Sequence, residues 1–177
     1  MFINPNKAIE LGWIRGIKNP TKQVQPNAID FTLDEVMELG GTAMVSENAK
    51  SMRRLRSLPL FPEGEPAGLW LLRGQAVYDG TSDVYVEVPQ GVAAVLFTRS
   101  TFARNGVFIL SGLYDSGYKG QIGFTIYTIG GEIAIKPGTR IGQIAFMSAD
   151  SAGTYAGGWN HEQGTHYTDG NDGGGGC

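Results

Sequence analysis

Asp115 and Tyr118 share one turn sequence, DSGY, and Arg99, Ser100 and Arg104 precede them in RSTFAR. Asp30, Arg140 and Gln143 extend this polar set. All of these residues fall at strand ends and turns of a β-rich pattern. An ionised aspartate is an acceptor-only group that orients and deprotonates water. A guanidinium offers phosphate paired donors in a fixed fork, and a serine hydroxyl adds one more. A glutamine brings amide donors and an acceptor. The set has the donors to hold a phosphorylated ligand and a carboxylate to activate water. DSG is also an ordinary turn sequence, with Asp as turn former. Arg140 reads as a structural or surface charge.

Other chemistries are excluded. No nucleophile elbow, Walker loop, Rossmann fingerprint or zinc-protease helix occurs. Cys177 is the only cysteine and stands last, so neither an internal disulfide nor a Cys-based zinc site is available. His161 and His166 are the only histidines, too few for a His-rich metal site. A net charge of −3 gives no general attraction to nucleic acid. No 18-residue apolar run or export signal is present, so the expectation is a cytoplasmic protein with no membrane partner, whose origin in a phage or virus stays open.

The elements that must position the polar set are mostly strands. Of the 177 residues 41% are hydrophobic, enough for one core. Asn4 and Pro5 announce a short N-terminal helix, with Gly16 as its expected stop. Ala28–Leu33 alternates, which predicts a strand with Ile29, Phe31 and Leu33 on one face. Residues 40–68 hold Lys50, Arg53, Arg54 and Arg56, then Pro59, Pro62 and Pro66, and read as a solvated surface excursion. From Leu69 to Met147 short strands alternate with turn signals: DGTSD, PQG, Asn105-Gly106 and DSGYKG. No helical stretch separates them, which predicts an antiparallel sandwich or barrel. From Gly157 on, the chain has eight Gly in 21 residues, which predicts a flexible Gly-rich tail over 157–177 behind a single domain over 1–156.

The strand and turn sequences VPQGVAAVLFTRSTFARNG, SGLYDSGYKGQIGFTIY and KPGTRIGQIAF, with QPNAID upstream, resemble the ordered motifs of the trimeric dUTPase and dCTP deaminase superfamily. The similarity runs from residue 1 to about 147, and the N-terminal helix is more like the deaminase branch. The resemblance implies an all-β, distorted jelly-roll fold. It implies a homotrimer with active sites between subunits, where threefold closure buries strand edges. It implies a deoxynucleoside triphosphate substrate with Mg²⁺ held mainly by phosphate oxygens. Asp115 then activates the water that attacks the α-phosphorus. Tyr118 packs on the deoxyribose and leaves no room for a 2′-OH. Arg99, Ser100, Arg104 and Gln143 grip phosphate, and Asp30 supports the site, with pairing to Arg99 as an open structural role. Tyr167 folds over the nucleotide from a neighbouring subunit, and His161, Gln163 and His166 reach phosphates.

Two reactions compete within the resemblance. The deaminases place a glutamate on the strand after the aspartate turn, and that position is Thr125 here. Threonine is no acid/base near neutral pH. Glu132 lies seven residues on, in the next turn. The expected activity is therefore hydrolysis of dUTP, or of a related pyrimidine nucleotide, to the monophosphate and pyrophosphate. The alternatives are a dCTP deaminase and a non-catalytic structural or regulatory homotrimer, such as a virus-particle decoration protein.

Overall fold

The computed structural model describes residues 1–46, 50–51, 54–60, 68–157 and 160. The elements, in chain order, are α1 (Pro5–Glu10), β1 (Ile14–Arg15), α2 (Pro20–Gln23), β2 (Ile29–Thr32), β3 (Glu35–Gly40), β4 (Met44–Val45), β5 (Lys50–Ser51), β6 (Arg54–Ser57), β7 (Trp70–Leu72), β8 (Ala76–Glu87), β9 (Val92–Thr98), α3 (Ser100–Arg104), β10 (Val107–Leu110), β11 (Lys119–Thr128), β12 (Ile133–Ile135) and β13 (Arg140–Ser148). The expected all-β sandwich is what forms. One sheet runs β10-β11-β8-β3-β6, with β1 also on β8, and a second runs β2-β13-β9. Short pairs β12-β7 and β4-β5 complete it, and all pairings are antiparallel. Among the described residues no helix is long and apolar enough to cross a membrane.

The core lies between the two sheets. Phe31 of β2 meets Phe124 of β11 with ring centroids 5.3 Å apart. Ile29, Leu33, Tyr78, Val84, Ile126 and Ile144 are essentially inaccessible around them. Each such side chain contributes about 1.5–3 kcal/mol by leaving water. The predicted β2 face forms as expected, but Asp30 on its opposite face is buried too.

Three local expectations need correction. The first helix does not reach Gly16: it ends at Glu10, and Gly12, at φ +72°, takes the left-handed turn. DGTSD is not a turn, because it runs through the middle of β8. A Cβ on Gly80 would stand 2.8 Å from Phe124 and 2.9 Å from Ile126, so the glycine serves close packing rather than a reversal. The 69–147 stretch also contains a helix, α3, which is only five residues long and leaves almost no periodic signal. Asn105-Gly106 does turn, with Gly106 at φ +71°.

In the basic segment, Arg56 pairs with Glu38, which also meets Arg73 at 3.3 Å. Arg53, Pro62 and Pro66 lie outside the described residues, as do 158–159 and 161–177 of the expected tail.

One position is a sharp test of the sheet contact. A Cβ on Gly142 of β13 would fall 2.2 Å from the Phe31 ring and 2.4 Å from Ile109. Gly142→Ala is expected to cost about 1–3 kcal/mol through overpacking. Thermal denaturation should show a clear drop in melting temperature, and an unchanged melt would contradict the packing.

Candidate functional site

Asp30 is the hub of a polar cluster on the β2-β13-β9 sheet, and its side chain is 1% exposed. One carboxylate oxygen accepts from Arg99 Nε at 3.1 Å and from Arg140 Nη1 at 2.9 Å. The other accepts from Gln143 Nε2 at 2.8 Å. Arg99 Nη1 also donates to the Arg140 carbonyl at 3.0 Å. Two guanidiniums against one carboxylate leave one net positive charge in a half-buried place, with several N–H donors still uncommitted. Such a surplus favours an anion.

The strand geometry explains why these side chains converge. Residues 140 and 143 of a regular strand point to opposite faces. β13 pairs Arg140 with Thr32 but Gly142 with Phe31 and Gln143 with Asp30, so its register shifts between Arg140 and Gly142. That irregularity adds one residue to β13 and turns both side chains toward Asp30. Asp30 is held from behind as well. Gln23 of α2 is buried and donates to the Asp30 carbonyl at 3.0 Å, while its own oxygen accepts from Asn19 N at 2.8 Å. Arg140 also donates to the Lys22 carbonyl, so it links α2 to β2.

Sequence reasoning treated Arg140 as structural or surface; it is a structural member of this cluster. The bulge that aims it leaves no signature in residue types. Asp30 and Arg99 pair, as the open structural role had it. Gln143 has one amide N–H committed to Asp30, which leaves its second N–H and its oxygen. Ser100 opens α3 directly after Arg99, and Arg104 closes it, both exposed.

Asp115 stands apart, on the turn between β10 and β11, and is exposed. Its carbonyl accepts from Tyr118 N at 3.0 Å. Gly117 carries φ +89°, a conformation that favours glycine, and donates to the Val88 carbonyl at 2.7 Å. Tyr114, just before, bridges to Ala94 of β9, which ties this turn to the sheet that holds Asp30.

Tyr118 is 5% exposed, so within this chain its ring is not open to a ligand. It packs edge-on to Tyr114 at 4.9 Å and against Tyr155 at 5.8 Å, and its hydroxyl donates to the Gln121 carbonyl at 3.1 Å. Burial, with neighbouring tyrosines adding to it, pushes the Tyr118 hydroxyl far above the ordinary phenol range, so it stays neutral. Tyr114 is pushed up in the same direction, first by burial and to a lesser degree by the negative charge of Asp79.

Thr125 lies on β11, cross-strand from Leu110 and from Asp79. Asp79 is a carboxylate that sequence reasoning missed: it is 7% exposed and directly opposite Thr125. Its signal was hidden because YDGTSD reads as a turn. Glu132 is exposed, in the turn before β12. Tyr167, His161, Gln163 and His166 lie outside the described residues.

Known proteins are similar to this chain. A probable deoxyuridine 5′-triphosphate nucleotidohydrolase of Methanothermobacter thermautotrophicus is 30% identical over 135 residues, covering 76% of this chain and 85% of that protein. A dCTP deaminase, dUMP-forming, of Dictyoglomus thermophilum is 31% identical over 144 residues, covering 78% of this chain and 73% of that protein. Among solved structures, the 2′-deoxycytidine 5′-triphosphate deaminase of Agrobacterium tumefaciens superposes with a TM-score of 0.65 at 16% identity. That match covers 84% of this chain, which spans about half (48%) of the length of the deaminase, and it establishes the fold alone. The dCTP deaminase-like family model matches residues 6–149, which takes in the Asp30 cluster, the Asp115 turn and every described strand. The two-sheet β fold, the ordered motifs and this match agree, and the chain belongs to the dCTP deaminase-like family.

Proposed function

We propose that this protein hydrolyses a pyrimidine deoxynucleoside triphosphate, dUTP first, to the monophosphate and pyrophosphate. The observation that carries the reading is the exposed Asp115 carboxylate on a rigid turn, tied through Tyr114 to the sheet whose Asp30 cluster has cationic donors to spare. Asp115 takes a proton from water as the water oxygen bonds to the α-phosphorus. The α–β bridging bond then breaks, and pyrophosphate leaves with its electron pair. Arg99, Ser100, Arg104 and the free donors of Gln143 bind the phosphates. Asp30 and Arg140 keep Arg99 and Gln143 in place.

Among the described residues no group of three or more His, Cys, Asp or Glu side chains is placed to hold a metal ion. Mg²⁺ bound with the nucleotide would be held mainly by phosphate oxygens and would offset their charge. A homotrimer fits the outer surface. Phe97, Leu110 and Leu113, which flank the two loops of the site, are 46%, 59% and 57% exposed. Subunit contact would cover them and bring donors of one copy toward Asp115 of the next. Tyr167 of the tail would then close over bound nucleotide.

One observation favours a second reading, dCTP deamination. Asp79 supplies a buried carboxylate across from Thr125, where β11 itself carries none. An acceptor-only carboxylate suits the 4-amino group of cytosine and not the 4-oxo group of uracil.

Incubation with dUTP, dCTP, dTTP and UTP in the presence of Mg²⁺, followed by chromatography, separates these. Conversion of dUTP to dUMP and pyrophosphate is the expected result. Uracil nucleotides formed from dCTP would establish the second reading. Inertness of a folded trimer toward every nucleotide would overturn both.

A further inference from the structure

After β13 the chain doubles back over the turn that carries Asp115. Ala149 N donates to the Gly91 carbonyl at 2.9 Å, and Thr154 Oγ1 to Gln90 Oε1 at 3.0 Å, which sets the path. Tyr155 N then donates to the Ser116 carbonyl at 2.7 Å. The Ser151 and Ser116 hydroxyls share a hydrogen bond of 2.6 Å, while Ser116 also reaches the Val92 carbonyl at 2.6 Å. Asn160 Oδ1 accepts from Lys119 N at 2.7 Å, and its amide group donates back to the Tyr155 carbonyl at 3.4 Å. Tyr155 lies on the Tyr118 ring. Thr154 Cγ2 sits 2.1 Å from where a Cβ on Gly117 would stand, so the contact is close enough to require glycine there.

We propose that Ser151, Tyr155 and Asn160 are positioning residues for Asp115, a strap that fixes the turn so that its carboxylate meets substrate in one geometry. This rests on the reading of Asp115 as the water-activating base. The distribution of the ties carries the inference. Residues 116, 117, 118 and 119 are each held through backbone or hydroxyl groups by the strap or by the β8–β9 connection, while the exposed Asp115 side chain takes part in none of these ties. A base that must approach one water gains rate from such anchoring, and small misplacements are costly. A strap that only stabilised the fold would leave turnover unchanged.

The test compares the full chain with Asn160→Ala and Ser151→Ala, and with the conservative Asn160→Asp, which keeps the acceptor oxygen. Three quantities are read: amide hydrogen exchange of residues 116–119, kcat and KM for dUTP with Mg²⁺, and the melting temperature. The strap predicts about tenfold faster exchange at the Lys119 amide in Asn160→Ala, the scale of one lost net hydrogen bond. It also predicts a kcat about tenfold lower with KM within about twofold, and recovery of both in Asn160→Asp. Unchanged exchange, or faster exchange with wild-type kcat, would overturn it. A wild-type chain inert toward dUTP would instead remove the parent reading, so the two failures are distinct.

Discussion

Replacing Asp115 by Asn is expected to lower dUTP hydrolysis by about 10²–10⁴-fold, the range by which a positioned general base accelerates proton transfer. The fold should not notice. Asp115 is exposed, its backbone carbonyl still accepts from Tyr118 N, and Asn is as good a turn former as Asp. The amide has nearly the shape of the carboxylate but cannot take a proton from water. Monophosphate release should therefore collapse while the melting temperature and the oligomeric state stay at the wild-type values. Equal loss of stability and activity would mean that Asp115 serves the turn rather than the water.

Asp30→Ala should behave in the opposite way, with a large loss of stability. It leaves the Arg99 and Arg140 guanidiniums close together without their shared carboxylate and strands the Gln143 amide. Breaking a wholly buried ion pair costs about 3–5 kcal/mol. Here the two arginine side chains are 25% and 31% exposed, so solvent relieves part of the penalty and about 2–3 kcal/mol is expected. For a chain of this length that lowers the melting temperature by about 4–12 °C. Asp30→Asn keeps an oxygen for one guanidinium and should fall between. Remaining activity in Asp30→Ala should show a raised KM, because Arg99 and Gln143 are no longer aimed. A melt indistinguishable from wild type would mean that the cluster contributes nothing.

Much of this was legible because the motifs keep their order and spacing. Asp30, Arg99, Gln143 and Asp115 were all singled out from residue type and neighbours, and the alternation over 28–33 named the core face of β2. What residue types leave unmarked has identifiable causes. Arg140 lies three residues before Gln143, and a regular strand turns those positions apart; only the register shift in β13 unites them. Asp79 was masked by a run of Gly, Thr, Ser and Asp, typical turn formers, which tertiary packing holds extended because Phe124 and Ile126 press on Gly80. The glycine-rich surroundings of Asn160 carry no sign of its bond to the Lys119 amide. Local composition describes what a segment prefers, whereas these places are set by partners 41 to 110 positions away, as the Asp30–Arg140, Lys119–Asn160 and Gly80–Phe124 contacts illustrate.

Hydrolysis by this route is attack of an activated water on the α-phosphorus. It is tested most directly by running the reaction with dUTP and Mg²⁺ in ¹⁸O-enriched water and weighing both products by mass spectrometry. Attack at the α-phosphorus places one ¹⁸O atom in dUMP and none in pyrophosphate. Label in pyrophosphate, or dUTP recovered intact, would contradict it.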